Sequence, residues 1–295
     1  MLHLEQLAEL VERNREAARA QVRDFSIGGK HFAFNSRPAI MGVINLSSDS
    51  WYRESVCLTA EAAVRRGQVL VAQGAEIVDV GAESTLAHAA RLDDAAQTSK
   101  LIPVIQALRA VGALVSVETY QPAVTRACLE AGANVLNLTG SDRSDEMYRL
   151  VAEHEAAVII CYVQGGNVRE VGEFDLRADP IPMMRDYFAR QIEIAQRQGV
   201  NKVFIDPGLG FYYRNLQDSA VRVRHQMNVF LNTFRLRELG FPICHALPHA
   251  FEYFGEEVRC AEPFFAVLAA LGKTDLFRTH EVPRTRAVLE TLQVF

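Results

Sequence analysis

The stretch AIMGVINLSSDS (39–50) decides the fold. Its first six residues are apolar and show no alternation, the pattern of a strand buried on both faces. The loop that follows contains neither G-x-G-x-x-G nor G-x-x-x-x-G-K-[ST], one of which a nucleotide-binding open sheet would carry after its first strand. An open doubly wound sheet is therefore the second choice, and a closed barrel the first.

Working outward, similar runs recur at EIVDVG (76–81), ALVSVE (113–118), NVLNL (134–138), AAVIICYV (156–163), KVFID (202–206), PICHAL (242–247) and DLFRT (275–279). Helical patterns fill the gaps. Thr59 is a candidate N-cap. One helix has Pro122 in its first turn and ends near Gly132, another runs from Pro180 to Gly199, and a third from Leu216 to Gly240. Eight strands, each followed by a helix, predict a (β/α)8 TIM barrel over residues 26–295. Residues 1–25 are expected to form an N-terminal helix, because Leu2, Leu4, Leu7, Leu10 and Val11 fall at helical spacing. That helix should pack across one end of the domain or against a second copy in a homodimer. FSIGGKHFAF (25–34) reads as a hairpin turning at Gly28 and Gly29.

Composition narrows the function. With 49% hydrophobic and 23% charged residues the chain is ordinary globular protein. A net charge of −5 without any Lys/Arg run gives no footprint for nucleic acid. No apolar stretch reaches the roughly 18 residues of a membrane span, and the charged N-terminus has no signal-peptide core, so a cytoplasmic protein is expected. The cysteines at 57, 128, 161, 244 and 260 form no metal-spaced pair and read as small buried hydrophobes.

In a barrel the carboxyl ends of the strands hold the active site. Here those ends repeatedly carry a polar residue: Asn45, Asp79, Glu118, Asn137, Asp206, His245, Arg278 and His280. Any one of them could be a cap, a turn residue or a satisfied core histidine. Together they would be costly to bury without a partner or ligand. Glu118, Asn137 and Asp206 suit a flat heterocycle with an amidine-like edge. Arg278 and His280 alternate about Thr279, so they are expected on one side as an anion clamp for phosphate; the competing reading pairs Arg278 with a structural acid. The glycine-rich DPGLGF (206–211) lets the backbone turn tightly beside Asp206.

These segments resemble the dihydropteroate synthase family from about Pro38 onward. IMGVINLSSDSW (40–51) is similar to its G-x-x-N-x-T-x-D-S-F element, AEIVDVGAEST (75–85) to D-x-G-x-E-S-T and SVETY (116–120) to S-x-D-T-Y. NVLNL (134–138), IDPGLGF (205–211) and FRTHEV (277–282) resemble the I-N-D, D-P-G-x-G-F and R-x-H-D-V elements. The resemblance implies a transferase of folate biosynthesis that joins a hydroxymethyl-dihydropterin pyrophosphate to p-aminobenzoate and releases pyrophosphate. It implies that Asp79, Asn137 and Asp206 contact substrate, with Glu118 standing where the family has Asp. Asn45 would lie near Mg²⁺ and the pyrophosphate, Arg278 and His280 would bind the pyrophosphate, and Thr85 would sit near the aminobenzoate.

Three departures accompany it. Leu247-Pro248-His249 stands where the family has S-R-K, so His249 takes the lysine's place. Ser84-Thr85-Leu86-Ala87 lacks the family's Arg-Pro, and Cys161-Tyr162-Val163-Gln164 replaces Met-His-Met. Ordinary synthase activity, a non-catalytic pterin binder and a homologue of altered amine specificity all stay open on these residues. A methyltransferase acting on a corrinoid partner is a further reading, which the Arg278/His280 pair opposes. If His249 faces the pterin with an ordinary imidazole pKa near about 6.5, pterin affinity should improve as pH falls.

Overall fold

A computed structural model of the chain describes residues 2–50, 52–84, 89–176, 179–211 and 213–294. The chain begins with α1 (Leu4–Arg13) and α2 (Arg15–Arg19) rather than one continuous helix. The break falls at Asn14, whose backbone leaves the helical region (φ −129°, ψ 42°) and whose Nδ2 donates to the Leu10 carbonyl at 2.9 Å. Such local side-chain bonding competes with the helix. No residue of α1 is buried, whereas Ala17 of α2 is. The hairpin β1 (Phe25–Ile27) and β2 (Lys30–Phe32) turns at Gly28 and Gly29 as expected, with φ of +53° and +85°. Phe25 and Phe34 then meet Phe204 edge-on at 5.1 and 5.3 Å.

Among the described residues, eight parallel strands follow: β3 (Ala39–Asn45), β4 (Ile77–Gly81), β5 (Val115–Thr119), β6 (Val135–Leu138), β7 (Ala157–Cys161), β8 (Val203–Asp206), β9 (Cys244–Ala246) and β10 (Leu276–Thr279). They pair in the order β8-β7-β6-β5-β4-β3-β10-β9. The two ends of that order meet in the Ile205–Ile243 bridge, where the Ile205 amide donates to the Pro242 carbonyl at 3.1 Å. This is a barrel, and the open sheet is excluded. The outer layer comprises α3 (Ala60–Ala72), α4 (Asp94–Ala110), α5 (Pro122–Glu130), α6 (Ser144–Glu153), α7 (Ile181–Arg197), α8 (Ser219–Asn232), the single turn α9 (Phe251–Phe254), α10 (Ala261–Leu271) and α11 (Val282–Leu292). Thr59 caps α3 through Oγ1, which accepts from the Ala62 amide at 3.2 Å.

The period of two along each strand positions the site. Outward residues such as Val78, Val80, Leu136, Leu138, Val158 and Ile160 pack beneath the helices. Inward residues form a second apolar layer toward the amino end, including Met41, Ile77, Val135, Ile159, Phe204 and Leu276. Two residues further along β4, β6, β7, β8 and β10, the same inward face carries Asp79, Asn137, Cys161, Asp206 and Arg278. The interior therefore changes from apolar to polar toward the carboxyl end. His245 departs from its expected place in the mouth. Its neighbour Cys244 faces inward, so His245 faces the helices. There it shares a 2.8 Å hydrogen bond with Thr233 Oγ1 and packs against Phe230. Burial pushes its imidazole down to about 3.

Candidate active site

A cleft of about 950 Å³, measured to its open mouth, sits over the polar layer. Asn45, Glu118, Asn137, Asp206, His249, Arg278 and His280 all line it, so the structure brings these expected residues together. Asp79 lies beneath them and is fully buried. Thr85 lies outside the described residues, as do Trp51, Leu86 and Ala87.

Arg278 organises the floor. Its Nε donates to Asp79 Oδ2 at 2.7 Å and its Nη2 to Glu118 Oε2 at 2.8 Å. Asn137 Nδ2 donates to the same Asp79 oxygen at 3.1 Å, and the Cys161 thiol donates to Asn137 Oδ1 at 3.5 Å. Arg278 is thus paired with acids, as the competing reading had it, but only two of its N–H groups serve these carboxylates and a guanidinium has five. The side chain added by Glu at position 118 is long enough to reach this cation. Burial pushes Glu118 up to about 7 against the opposing pull of Arg278. Burial also raises Asp206, to about 6, although its Oδ1 accepts from the Gly208 amide at 2.8 Å. A carboxyl raised in this way gains from a ligand that donates N–H groups to it.

The rim is built differently. Thr279 turns toward the helices, and its hydroxyl donates to Glu262 at 2.5 Å. His280 lies past the end of β10, with Nδ1 2.6 Å from Glu262 Oε1 and its ring stacked on Tyr52 at 4.5 Å. The Tyr52 hydroxyl donates to Glu281. Burial, then that hydrogen bond, pushes the phenol well up. Asn45 Nδ2 donates to Ser55 Oγ at 2.6 Å, which leaves its amide oxygen for the cleft. Across the opening, His249 packs on Phe251 at 4.3 Å. Burial first, and then the charge of Arg222, push it down to about 4. The ordinary imidazole value expected from sequence is therefore corrected.

Sequence reasoning missed Glu262, Tyr52, Arg222 and Arg169. A carboxylate at the head of the apolar run AEPFFAVLAALG (261–272) was a readable signal for Glu262. Arg169 lies in an irregular segment that carries no signal. Its Nη1 and Nη2 hold the carbonyls of Ser84 and Ala89 at 2.8 and 2.5 Å.

A barrel with amide and carboxyl groups converging under a carboxyl-end cleft defines an enzyme of the pterin-binding class, and the family described as pterin binding enzyme matches residues 41–244. The chain belongs to that family, and within it to the dihydropteroate synthases, which are transferases. It is 29% identical over 273 residues to the dihydropteroate synthase of Streptococcus pyogenes, covering 88% of this chain and 97% of that one. Against the dihydropteroate synthase of Synechocystis sp. the identity is 27% over 268 residues, covering 87% and 89%. Among solved structures, Xanthomonas albilineans dihydropteroate synthase with 4-aminobenzoic acid superposes with a TM-score of 0.76 at 27% identity, covering 93% and 98%. The same enzyme in complex with 7,8-dihydropteroate gives a TM-score of 0.72 at 26% identity, covering 92% and 97%.

Proposed function

We infer that this chain condenses a hydroxymethyl-dihydropterin pyrophosphate with p-aminobenzoate or a related amine and releases pyrophosphate. The observation that carries the reading is the pair of buried acceptors, Asn137 and Asp206, in the cleft of a chain whose relatives are dihydropteroate synthases. Asp206 and Asn137 hold the amino-pyrimidine edge of the pterin. Asp79 acts from below by fixing Asn137 and Arg278. Arg278 and His280 take the pyrophosphate, with the N–H groups of Arg278 that the carboxylates leave over. Thr85 lies beside the amine. The C–O bond breaks with its electron pair leaving on pyrophosphate, the electron-rich ring stabilises the carbon, and the amine attacks. Orientation and charge stabilisation suffice for this, without a covalent enzyme intermediate.

Magnesium fits one position. The amide oxygen of Asn45 is a hard donor, and phosphate oxygens and water would complete the ion's shell. Among the described residues no cluster of three or more His, Cys, Asp and Glu forms a metal cage of its own. The reading places the reaction in the cytoplasm. It includes a homodimer, which the exposed Leu4 and Val11 of α1 support.

The test is pyrophosphate release from the pterin pyrophosphate and p-aminobenzoate, together with pterin binding by calorimetry. Wild-type protein should turn over, and Asp206→Ala should lose pterin binding because a buried charged acceptor is hard to replace. An unchanged dissociation constant would show that Asp206 merely caps the Gly208 turn. A second reading, a pterin binder with another amine or no turnover, is favoured by the neutral His249 and apolar Leu247 and Pro248 in the cleft wall. Pterin binding without release of pyrophosphate would establish it.

A further inference from the structure

The cleft wall beyond β9 consists of Leu247, Pro248 and His249. It holds no permanent charge, because burial and then the charge of Arg222 keep His249 neutral near pH 7. The charge on this side comes from α8 instead. Arg222 lines the same cleft with its side chain 12% exposed, and the reaction just described gives it no role.

Its donors are mostly uncommitted. Nη2 donates to the two oxygens of Glu252 at 3.0 and 2.8 Å. Among the described residues Nη1 has no hydrogen-bond partner, and the buried Nε has none either. A guanidinium carries five N–H groups in a planar fork. One turn further along α8, the Gln226 Nε2 donates to the Leu209 carbonyl at 3.1 Å and its buried Oε1 is unpartnered. Buried polar atoms left over in this way call for an explanation. Arg278 provides the contrast. On the floor its charge is answered by two enclosed acids, whereas Glu252 is a single acid, 43% exposed, whose charge water already screens. Arg222 thus keeps its attraction for a second anion. Leu216, Leu247 and Pro248 line the cleft with it, so an apolar surface and a cation lie in one wall. That combination fits a flat ring carrying an anionic group.

We propose that Arg222 is the specificity-determining residue for the second substrate. Its Nη1–H groups receive a carboxylate borne by the aromatic amine, while Leu247 and Pro248 cover the ring. Glu252 holds the guanidinium from the outer side. The amine is therefore an anionic arylamine, of which p-aminobenzoate is the simplest, and a neutral arylamine is a poor substitute. That the occupant is an amine rests on the transferase reading above; that this wall takes an anion does not.

The test is calorimetry of p-aminobenzoate and of uncharged p-aminobenzamide on protein saturated with hydroxymethyl-dihydropterin and inorganic pyrophosphate. The wild type should prefer the acid by about tenfold, the worth of one hydrogen bond between charged groups. Arg222→Ala should erase that preference by losing the acid far more than the amide. Arg222→Lys, which keeps the charge without the fork, should fall between the two. Glu252 is solvated, so both variants should fold, and an unchanged affinity for hydroxymethyl-dihydropterin checks this. A wild type that binds acid and amide equally overturns the proposal. Equal losses of both in Arg222→Ala overturn it as well, since the side chain would then only pack against the ring. In either case, pyrophosphate release from the pterin pyrophosphate and p-aminobenzoate would leave the transferase reading intact. An Arg222-dependent preference for the acid without that release would refute the transferase reading and uphold the anion anchor. A wild type that binds neither amine and releases no pyrophosphate overturns both.

Discussion

Arg278 illustrates how a single residue can satisfy two readings made from sequence. Its alternation with Thr279 correctly places it facing inward, and the motif FRTHEV places it at a strand end. What the sequence could not show is that Asp79, 199 positions away, and Glu118, 160 positions away, converge on it. Side-chain pairs at such separations exist only once the barrel closes. Removing the cation strands two acids in the floor, one of them with 0% exposure. Breaking a buried pair by deleting one partner costs about 3–5 kcal/mol. Arg278→Ala is therefore expected to lower the urea-unfolding free energy by that order. It should also weaken free pterin, since Asn137 is fixed through the same Asp79 oxygen, and pterin pyrophosphate more, since the ester also loses the remaining N–H groups. Selective loss of the pyrophosphate ester, with stability intact, would restore the simple clamp. His245 shows the converse: the inward Cys244 beside it already implied that it faced the helices, so the period of two was more informative than the residue type.

At the level of elements, the strands were legible because their two-sided burial leaves long apolar runs, and the helices because caps and glycines punctuate them. The N-terminal helix was overextended because the amphipathic positions end at Val11 and give no sign of the local hydrogen bond at Asn14. The second strand–helix loop was partly legible as a motif, but its support was not. Arg169, from the segment between β7 and α7, is 9% exposed and holds both Ser84 and Ala89 by their carbonyls. These two anchors flank the stretch containing Thr85, the residue proposed to sit beside the amine. Arg169→Ala should therefore raise KM for p-aminobenzoate about tenfold, the loss of roughly one charged hydrogen bond. The pterin dissociation constant should hold, because Asp206 and Asn137 lie on other strands. A parallel rise in the pterin constant would show that the loop shapes the whole cleft.

For the molecule as a whole, the electrostatics of the floor set a pH dependence opposite to the one that His249 suggested from sequence. Burial raises Asp206 to about 6 and Glu118 to about 7. In the free protein, carboxyls raised by folding contribute stability that is fully present below their ordinary values. That contribution is lost as pH rises through about 6 for Asp206 and about 7 for Glu118. The fold should thus become less stable across this window. A pterin edge that donates N–H groups binds the ionised acceptor, so its affinity should rise over the same range. His249, pushed down to about 4, is neutral throughout and adds no slope. From Asp206 alone, ionisation should strengthen pterin binding about fourfold between pH 5.5 and 7.5. Binding near pH 6.5 should release protons, which calorimetry in two buffers of different ionisation enthalpy would detect as a difference in apparent heat. Affinity that falls as pH rises, or proton uptake on binding, would mean that the ligand is held by protonated acids. The floor would then be a donor surface, and the assignment of Asp206 as the acceptor for the amino-pyrimidine edge would have to be abandoned.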